Sequence, residues 1–150
     1  MISQTAEYAL RAMVQIATEP DAKWTVQQVA ERTRVPQGYL AKVLQALSRA
    51  GLVDSRRGVG GGFSIAGTPG EIRILDVVNA VDPVERIATC PLGLETHGAN
   101  LCPLHRRLDA AIEATERAFA ETTLAELLAD TRGSRPLCDT RGRRRPDPKP

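Results

Sequence analysis

Hydrophobic residues recur every three or four positions along most of this chain, which is the spacing of one face of a helix. The stripes predict helices over residues 3–18, from Thr25 to a turn at 33–35, from Pro36 to Gly51, over 72–81, and from Pro103 to about residue 120. Thr25 with Gln28, and Thr123 with Glu126, have the spacing of capping boxes, and the second pair predicts a short final helix.

The pattern changes between the third and fourth predicted helices. Residues 52–57 and 63–66 are short runs with strand character, and they flank the glycine-rich sequence 58–62, so they predict a β-hairpin. Two short helices joined by a tight turn and followed by a hairpin make a winged helix-turn-helix. A nucleotide-binding phosphate loop fits the glycines less well, because such loops open a helix and this one leads into a strand.

The predicted fold is therefore mainly α with a small β-hairpin wing and a long dimerisation helix. Residues 1–82 form the winged helix-turn-helix, residues 83–130 a sensor loop and the long helix, and residues 131–150 a disordered basic tail rich in Gly, Pro and Arg. The long helix has an apolar stripe longer than one small domain needs. Its members are Leu104, Leu108, Ala111, Ile112, Thr115 and Phe119. This stripe predicts contact with a second copy of the chain.

Charge is unevenly distributed along the sequence, although the net charge is only +2. Residues 23–57 carry seven basic and two acidic side chains, residues 71–130 carry five basic and eleven acidic ones, and residues 131–150 again carry seven and two. A basic region around the predicted wing indicates a polyanionic partner. Solvated charged faces, or a winged helix used only for protein assembly, are the alternatives; the basic region favours double-stranded DNA.

In a winged helix-turn-helix, the second helix of the pair enters the major groove of DNA. Arginine suits both phosphates and a narrow minor groove, and glycine lets the backbone approach DNA closely. The predicted DNA-binding residues are Thr25, Gln28, Gln37, Gly38, Tyr39, Lys42, Arg56, Arg57 and Gly58.

Both histidines and two of the three cysteines fall within residues 90–105. Thiolates with imidazoles suit an iron–sulfur cluster or zinc. Cys90, His97, Cys102 and His105 are therefore candidate ligands, while Cys138 lies in the predicted tail. Thiol redox sensing without a metal, metal-free sensing of a protein partner, and cysteines that are only small apolar residues remain open as alternatives.

Three segments carry a resemblance to a known family. They are residues 5–11 (TAEYALR), residues 39–47 followed by 51–63 (GLVDSRRGVGGGF), and residues 122–128 (TTLAELL). Over residues 1–130 the chain resembles the Rrf-two (BadM-type) family of bacterial winged helix-turn-helix regulators, of the IscR and NsrR kind. The resemblance implies a homodimer whose long helices pack together and whose wings contact a palindromic operator, most often as a repressor.

The resemblance also implies a ligand set. Cluster-binding members hold three cysteines before the long helix, and Cys90 and Cys102 match the outer two, whereas Thr96 stands at the middle position. His97 is next to that gap, His105 matches an additional histidine ligand, and Glu7 matches a carboxylate given by the partner subunit. A [2Fe–2S] cluster is favoured over a [4Fe–4S] cluster, with zinc as the lesser alternative.

The remaining features bear on location and chemistry. No secretory signal is visible and no apolar run reaches membrane-spanning length, so a cytoplasmic protein without a membrane partner is expected. A small thiol oxidoreductase is disfavoured because the sequence has no C-x-x-C pair, and we expect the chain not to be an enzyme.

Overall fold

The computed structural model describes residues 2–97, 100–130, 132, 136 and 137. Cys138 and most of the predicted tail lie outside these residues. Along the described chain the elements are α1 (Gln4–Ala17), α2 (Val26–Thr33), α3 (Gln37–Arg49), β1 (Val53–Arg56), β2 (Gly62–Ile65), α4 (Ile74–Val81), a single 3-10 turn (Glu95–His97), α5 (Pro103–Glu121) and α6 (Leu124–Ala129). The predicted class, mainly helical with a β-hairpin wing, is confirmed.

Local sequence signals account for most of the helix ends. The Ser3 hydroxyl accepts a hydrogen bond from the Ala6 amide at the start of α1. Both predicted capping boxes are present, at the starts of α2 and α6. Between α2 and α3, Arg34 turns the chain with a φ of 57°, a left-handed conformation that few non-glycine residues adopt. Pro36 precedes α3 as its N-cap, so the helix begins one residue later than the sequence predicts.

The hydrophobic core lies where α1, α2, α3 and α4 meet, and the inner ends of the two strands close one side of it. Its largest fully buried side chains include Met13, Ile16, Leu40, Leu44 and Leu47. Leu124 from α6 is fully buried in the same core, although it lies far along the sequence from the other members. The two elements α1 and α6 are therefore parts of one packed unit.

Helix α4 is shorter than the predicted helix 72–81, because Ile72 and Arg73 are extended and pair with another part of the chain. The Leu124 amide donates to the Ile72 carbonyl at 2.9 Å, and the Ile74 amide donates to the Thr122 carbonyl at 2.9 Å. The Arg73 guanidinium also donates to the Ala120 carbonyl. The junction between α5 and α6 is thus fastened to the start of α4.

Helix α5 packs on α4 but has no buried residue within the single chain. On its apolar stripe, Leu104 is 63% exposed and Leu108 is 47% exposed. A groove of about 470 Å³ runs beside this stripe, between Leu108, Ile112 and Phe119 on one side and Ile2 and Val84 on the other. Among the described helices, including α5, none combines the length and apolar character needed to cross a bilayer.

Candidate nucleic-acid interface

Helix α3 has one buried face and one free face. Leu40, Val43, Leu44 and Leu47 point into the core, and the side chains between them are exposed. The exposed positions are Gln37, Gly38, Tyr39, Lys42, Gln45 and Arg49. Tyr39 keeps 41% of its surface exposed, and the space beside the Gly38 Cα is open. This free face carries amide, hydroxyl and cationic groups, which are the groups that contact base edges and phosphates.

The wing, residues 53–65, is an antiparallel hairpin in which Arg56 pairs with Gly62 and Ser55 pairs with Phe63. Trp24 continues the sheet on the other side of β2, exchanging two backbone hydrogen bonds of 2.7 Å with Phe63. Gly62 has a φ of +143°, and a Cβ there would lie 2.7 Å from the Trp24 carbonyl oxygen. Glycine is therefore required at this position for the wing to pair with Trp24.

Arg56 ends β1 and Arg57 follows it, and the two side chains occupy different surroundings. Arg56 lines a polar groove with Lys23 and Asp54 on the outer face of the wing. Arg57 lines a second groove, between the wing and α3, with Gln45 and Arg49. None of the four basic side chains forms an ion pair with a described residue.

Lys23, Gln45 and Arg49 thus extend the candidate interface beyond the residues that the sequence analysis names. Gln45 and Arg49 continue the exposed side of α3 past Lys42, so helical spacing could have identified them. Lys23 reaches the wing only because Trp24 pairs with Phe63, and no local signal in the sequence predicts that pairing.

Thr25 and Gln28 lie at the exposed start of α2. The Thr25 hydroxyl accepts from the Gln28 amide at 3.2 Å, and the Gln28 side-chain oxygen accepts from the Thr25 amide at 2.9 Å. Part of the hydrogen-bonding capacity of both side chains is thus used in the capping box, while the Gln28 amide nitrogen is left available. Gly58 is exposed beyond β1, at the tip of the wing, with a φ of +92°.

In the predicted sensor loop, residues 88–105, the structure brings one candidate pair together. Cys102 is the N-cap of α5, and its Sγ lies 3.3 Å from Nδ1 of His105. Cys90 is buried, and His97 ends the 3-10 turn. Glu7 lies on α1, where its carboxylate binds the Arg11 guanidinium at 2.6 Å. No three His, Cys, Asp or Glu side chains among the described residues are grouped to hold a metal ion.

An ion-pair cluster fastens the chain just before the sensor loop to α5. Arg86 forms two hydrogen bonds of 2.7 Å with Asp109 and a third of 3.2 Å with Glu113. The Ile87 amide also donates to Asp109, at 2.9 Å. The hydrogen bond from Arg86 is the main cause that lowers the pKa of Asp109 to about 2, so this carboxylate stays charged throughout the neutral range.

A helix-turn-helix with a free polar face on its second helix, next to a basic glycine-rich wing, defines a DNA-binding transcription regulator of the winged-helix class. The Rrf2 family model, described as an iron-dependent transcriptional regulator, matches residues 2–130. The chain belongs to the Rrf2 family.

Similar proteins agree with this assignment. An HTH-type transcriptional regulator of Aquifex aeolicus (strain VF5) is 30% identical over 131 residues, covering 85% of this chain and 91% of the relative. IscR from T. potens has a TM-score of 0.70 at 22% identity, with 85% of each chain covered. CymR (YrzC), the global cysteine regulator of B. subtilis, has a TM-score of 0.70 at 24% identity, with 85% of this chain and 95% of CymR covered.

The two solved structures share the fold with this chain, and the family model and the curated relative share its class. The family model and the Aquifex aeolicus relative are both regulators of transcription, which confirms the expectation that the chain is not an enzyme.

Proposed function

We propose that this Rrf2 protein is a repressor that binds a palindromic operator as a homodimer. The observation that supports it is the free polar face of α3 beside a wing with unpaired basic side chains. We assign base contacts in the major groove to Gln37, Tyr39 and Lys42, with Gly38 allowing close approach. The wing contacts phosphates and the minor groove through Arg56, Arg57 and Gly58, and Thr25 and Gln28 contact the backbone beside α2.

The wing contact is tested with the double variant Arg56→Ala, Arg57→Ala. It should weaken binding to all duplex DNA, and the slope of log affinity against log salt should become shallower by roughly four for the dimer, since each subunit loses two arginines and each lost phosphate contact removes about one. Fluorescence anisotropy across a salt series measures both quantities. The matched control is Arg106→Ala, Arg107→Ala on α5, which removes the same charge from exposed residues away from the wing. Equal slopes for the wing variant and the wild type would place the wing off the DNA.

The exposed apolar stripe of α5 supports the proposed homodimer. Leu104 and Leu108 are large side chains in water in the single chain, and they adjoin the apolar groove lined by Ile112. Burying such a stripe stabilises the dimer by about 25 cal/mol for each Å² of apolar surface removed from water. A second copy of α5 is the occupant that we propose, because a two-fold dimer places two α3 helices at the two half-sites of a palindrome.

We further propose that the sensor loop controls DNA binding through an iron–sulfur cluster. The donors have the right chemistry: Cys102 and His105 are already in contact, and Cys90 lies in the same loop. The described residues of one chain supply fewer ligands than a cluster needs. We assign the remaining ligands to Cys90, to His97 and to Glu7 of the partner subunit, with a [2Fe–2S] cluster favoured and zinc as the lesser alternative. A bound cluster would supply a change of redox state and charge.

The contact between Cys102 and His105 also favours a second candidate, thiol sensing without a metal. Cys102 is only partly buried at the start of α5, so oxidants can reach its Sγ, and His105 is its contact there. In either case Arg86 and Asp109 hold the preceding segment on α5, so a change in the sensor loop acts directly on the helix of the proposed dimer. Signalling then requires that cluster binding or thiol oxidation favour one arrangement of the dimer.

Anaerobic reconstitution distinguishes the two candidates. We expect wild-type protein to take up iron and sulfide and to show a visible absorption band, Cys90→Ser and Cys102→Ser to lose it, and Cys138→Ser to keep it. Uptake of stoichiometric zinc without colour would replace the cluster by a zinc site. A wild-type protein that binds neither metal, but whose DNA affinity falls on peroxide treatment unless Cys102 is replaced, would identify thiol sensing. If the Cys138→Ser variant alone loses the absorption band, the assigned cysteines are wrong.

A further inference from the structure

Three side chains on successive turns of α1 contact the helix-turn-helix. The Thr5 hydroxyl hydrogen-bonds the Tyr39 hydroxyl at 2.5 Å. The rings of Tyr8 and Tyr39 meet edge to face, with centroids 5.5 Å apart and planes at 81°. Tyr39 is in the first turn of α3, so α1 holds the side chain at the end of α3 where contacts to bases begin.

The same face of α1 also holds the turn before α3. The Arg11 guanidinium carbon lies 5.6 Å from the centre of the Tyr8 ring, and Arg11 donates a hydrogen bond of 3.1 Å to the Thr33 carbonyl. Thr33 ends α2 and is followed directly by Arg34, whose positive φ redirects the chain toward α3. Thr5, Tyr8 and Arg11 thus contact both sides of the turn.

We propose that Thr5 and Tyr8 are positioning residues for operator recognition, acting through Tyr39. The inference rests on the DNA contact that we propose for Tyr39. An exposed tyrosine at the start of a helix otherwise samples several rotamers, and immobilising such a side chain on binding lowers affinity by about twofold to tenfold. The contacts with Thr5 and Tyr8 select one rotamer before DNA arrives.

The hydroxyl pair adds a directional effect. When two hydroxyls share a hydrogen bond, one donates and the other keeps its own hydrogen for an outside acceptor. Tyr39 is 41% exposed, and Thr5 is half-buried beneath it. Whichever hydroxyl donates, the pair therefore keeps one hydroxyl hydrogen for a base edge or a phosphate oxygen. Helix α1 in this way influences which sequence is bound without entering the groove.

The test compares Thr5→Val, which removes the hydroxyl at nearly constant shape, with Thr5→Ser, which keeps it. An operator selected from random duplexes and a scrambled duplex are the two probes. Thr5→Val should weaken operator binding by about twofold to tenfold for each half-site while leaving scrambled-duplex affinity, salt slope and melting temperature unchanged. Thr5→Ser and Tyr8→Phe, which keep the hydroxyl and the ring, should bind the operator like wild type.

A double-mutant cycle with Tyr39→Phe then tests whether Thr5 acts through Tyr39. Because both changes remove the same hydrogen bond, their combined effect should be smaller than the product of the single effects. Additive losses of binding free energy, or a Thr5→Val protein with full operator affinity, would overturn the proposal while leaving the proposed function intact. If Tyr39→Ala binds the operator like wild type, the proposed Tyr39 contact is wrong and the positioning role falls with it.

Discussion

The Ile112→Asp variant should be monomeric at concentrations where the wild-type protein is a dimer. Ile112 lines the groove beside the exposed stripe of α5, so in the proposed dimer its replacement would bury a carboxylate with no partner. An uncompensated buried charge costs about 3–5 kcal/mol, which raises the dimer dissociation constant by about a hundredfold or more. Sedimentation velocity measures the dimer, and a palindromic duplex measures the accompanying loss of operator affinity.

The control for this experiment is Ala110→Asp. Ala110 is exposed on the same helix, but it is two residues away and therefore on the opposite side from the apolar stripe. It introduces the same charge and leaves the proposed interface untouched, so Ala110→Asp should remain dimeric. A dimer of unchanged strength in Ile112→Asp would show that the subunits meet elsewhere.

The Leu124→Ala variant should lose about 2–5 kcal/mol of its free energy of unfolding. Leu124 is fully buried in the core shared by α1, α3 and α4, and the backbone on either side of it is hydrogen-bonded to α4 or to the residues before it. Denaturant unfolding at fixed protein concentration measures the change. Truncating the same side chain at Leu92, which is 73% exposed, should alter stability by no more than about 0.5 kcal/mol. Equal effects of the two substitutions would mean that α6 does not stabilise the core.

The sequence predicts those parts of the fold that depend on near neighbours. The capping box of Thr25 and Gln28 requires residues three apart, and Gly51 follows α3 with a φ of +74°, so both are visible in the sequence. The predicted beginning of α4 is wrong by two residues because it depends on residues that are distant in the sequence. Ile72 and Arg73 have helical neighbours in sequence, but they pair with residues 122–124, and periodicity within a short window contains no information about that pairing.

The candidate site likewise has residues that the sequence identifies and residues that only the folded structure brings to it. Arg56 and Arg57 stand out because glycines follow them, and His105 follows Cys102 by three residues at a helix start, a spacing that places the two side chains in contact. The position of Lys23 beside the outer face of the wing depends on the two hydrogen bonds between Trp24 and Phe63. The contact of Thr5 with Tyr39 spans 34 residues. Both arise from tertiary packing, which the order of residues along the chain does not reveal.

The position of Leu124 also sets the order of events while the chain is being made. During synthesis α1, α2, α3 and the wing leave the ribosome first, yet the core that they build is closed by a side chain that emerges much later. Translation proceeds at about 5–20 residues per second, so the unfinished core waits several seconds for α6. A product that stops before residue 124 would expose this core to proteases and chaperones.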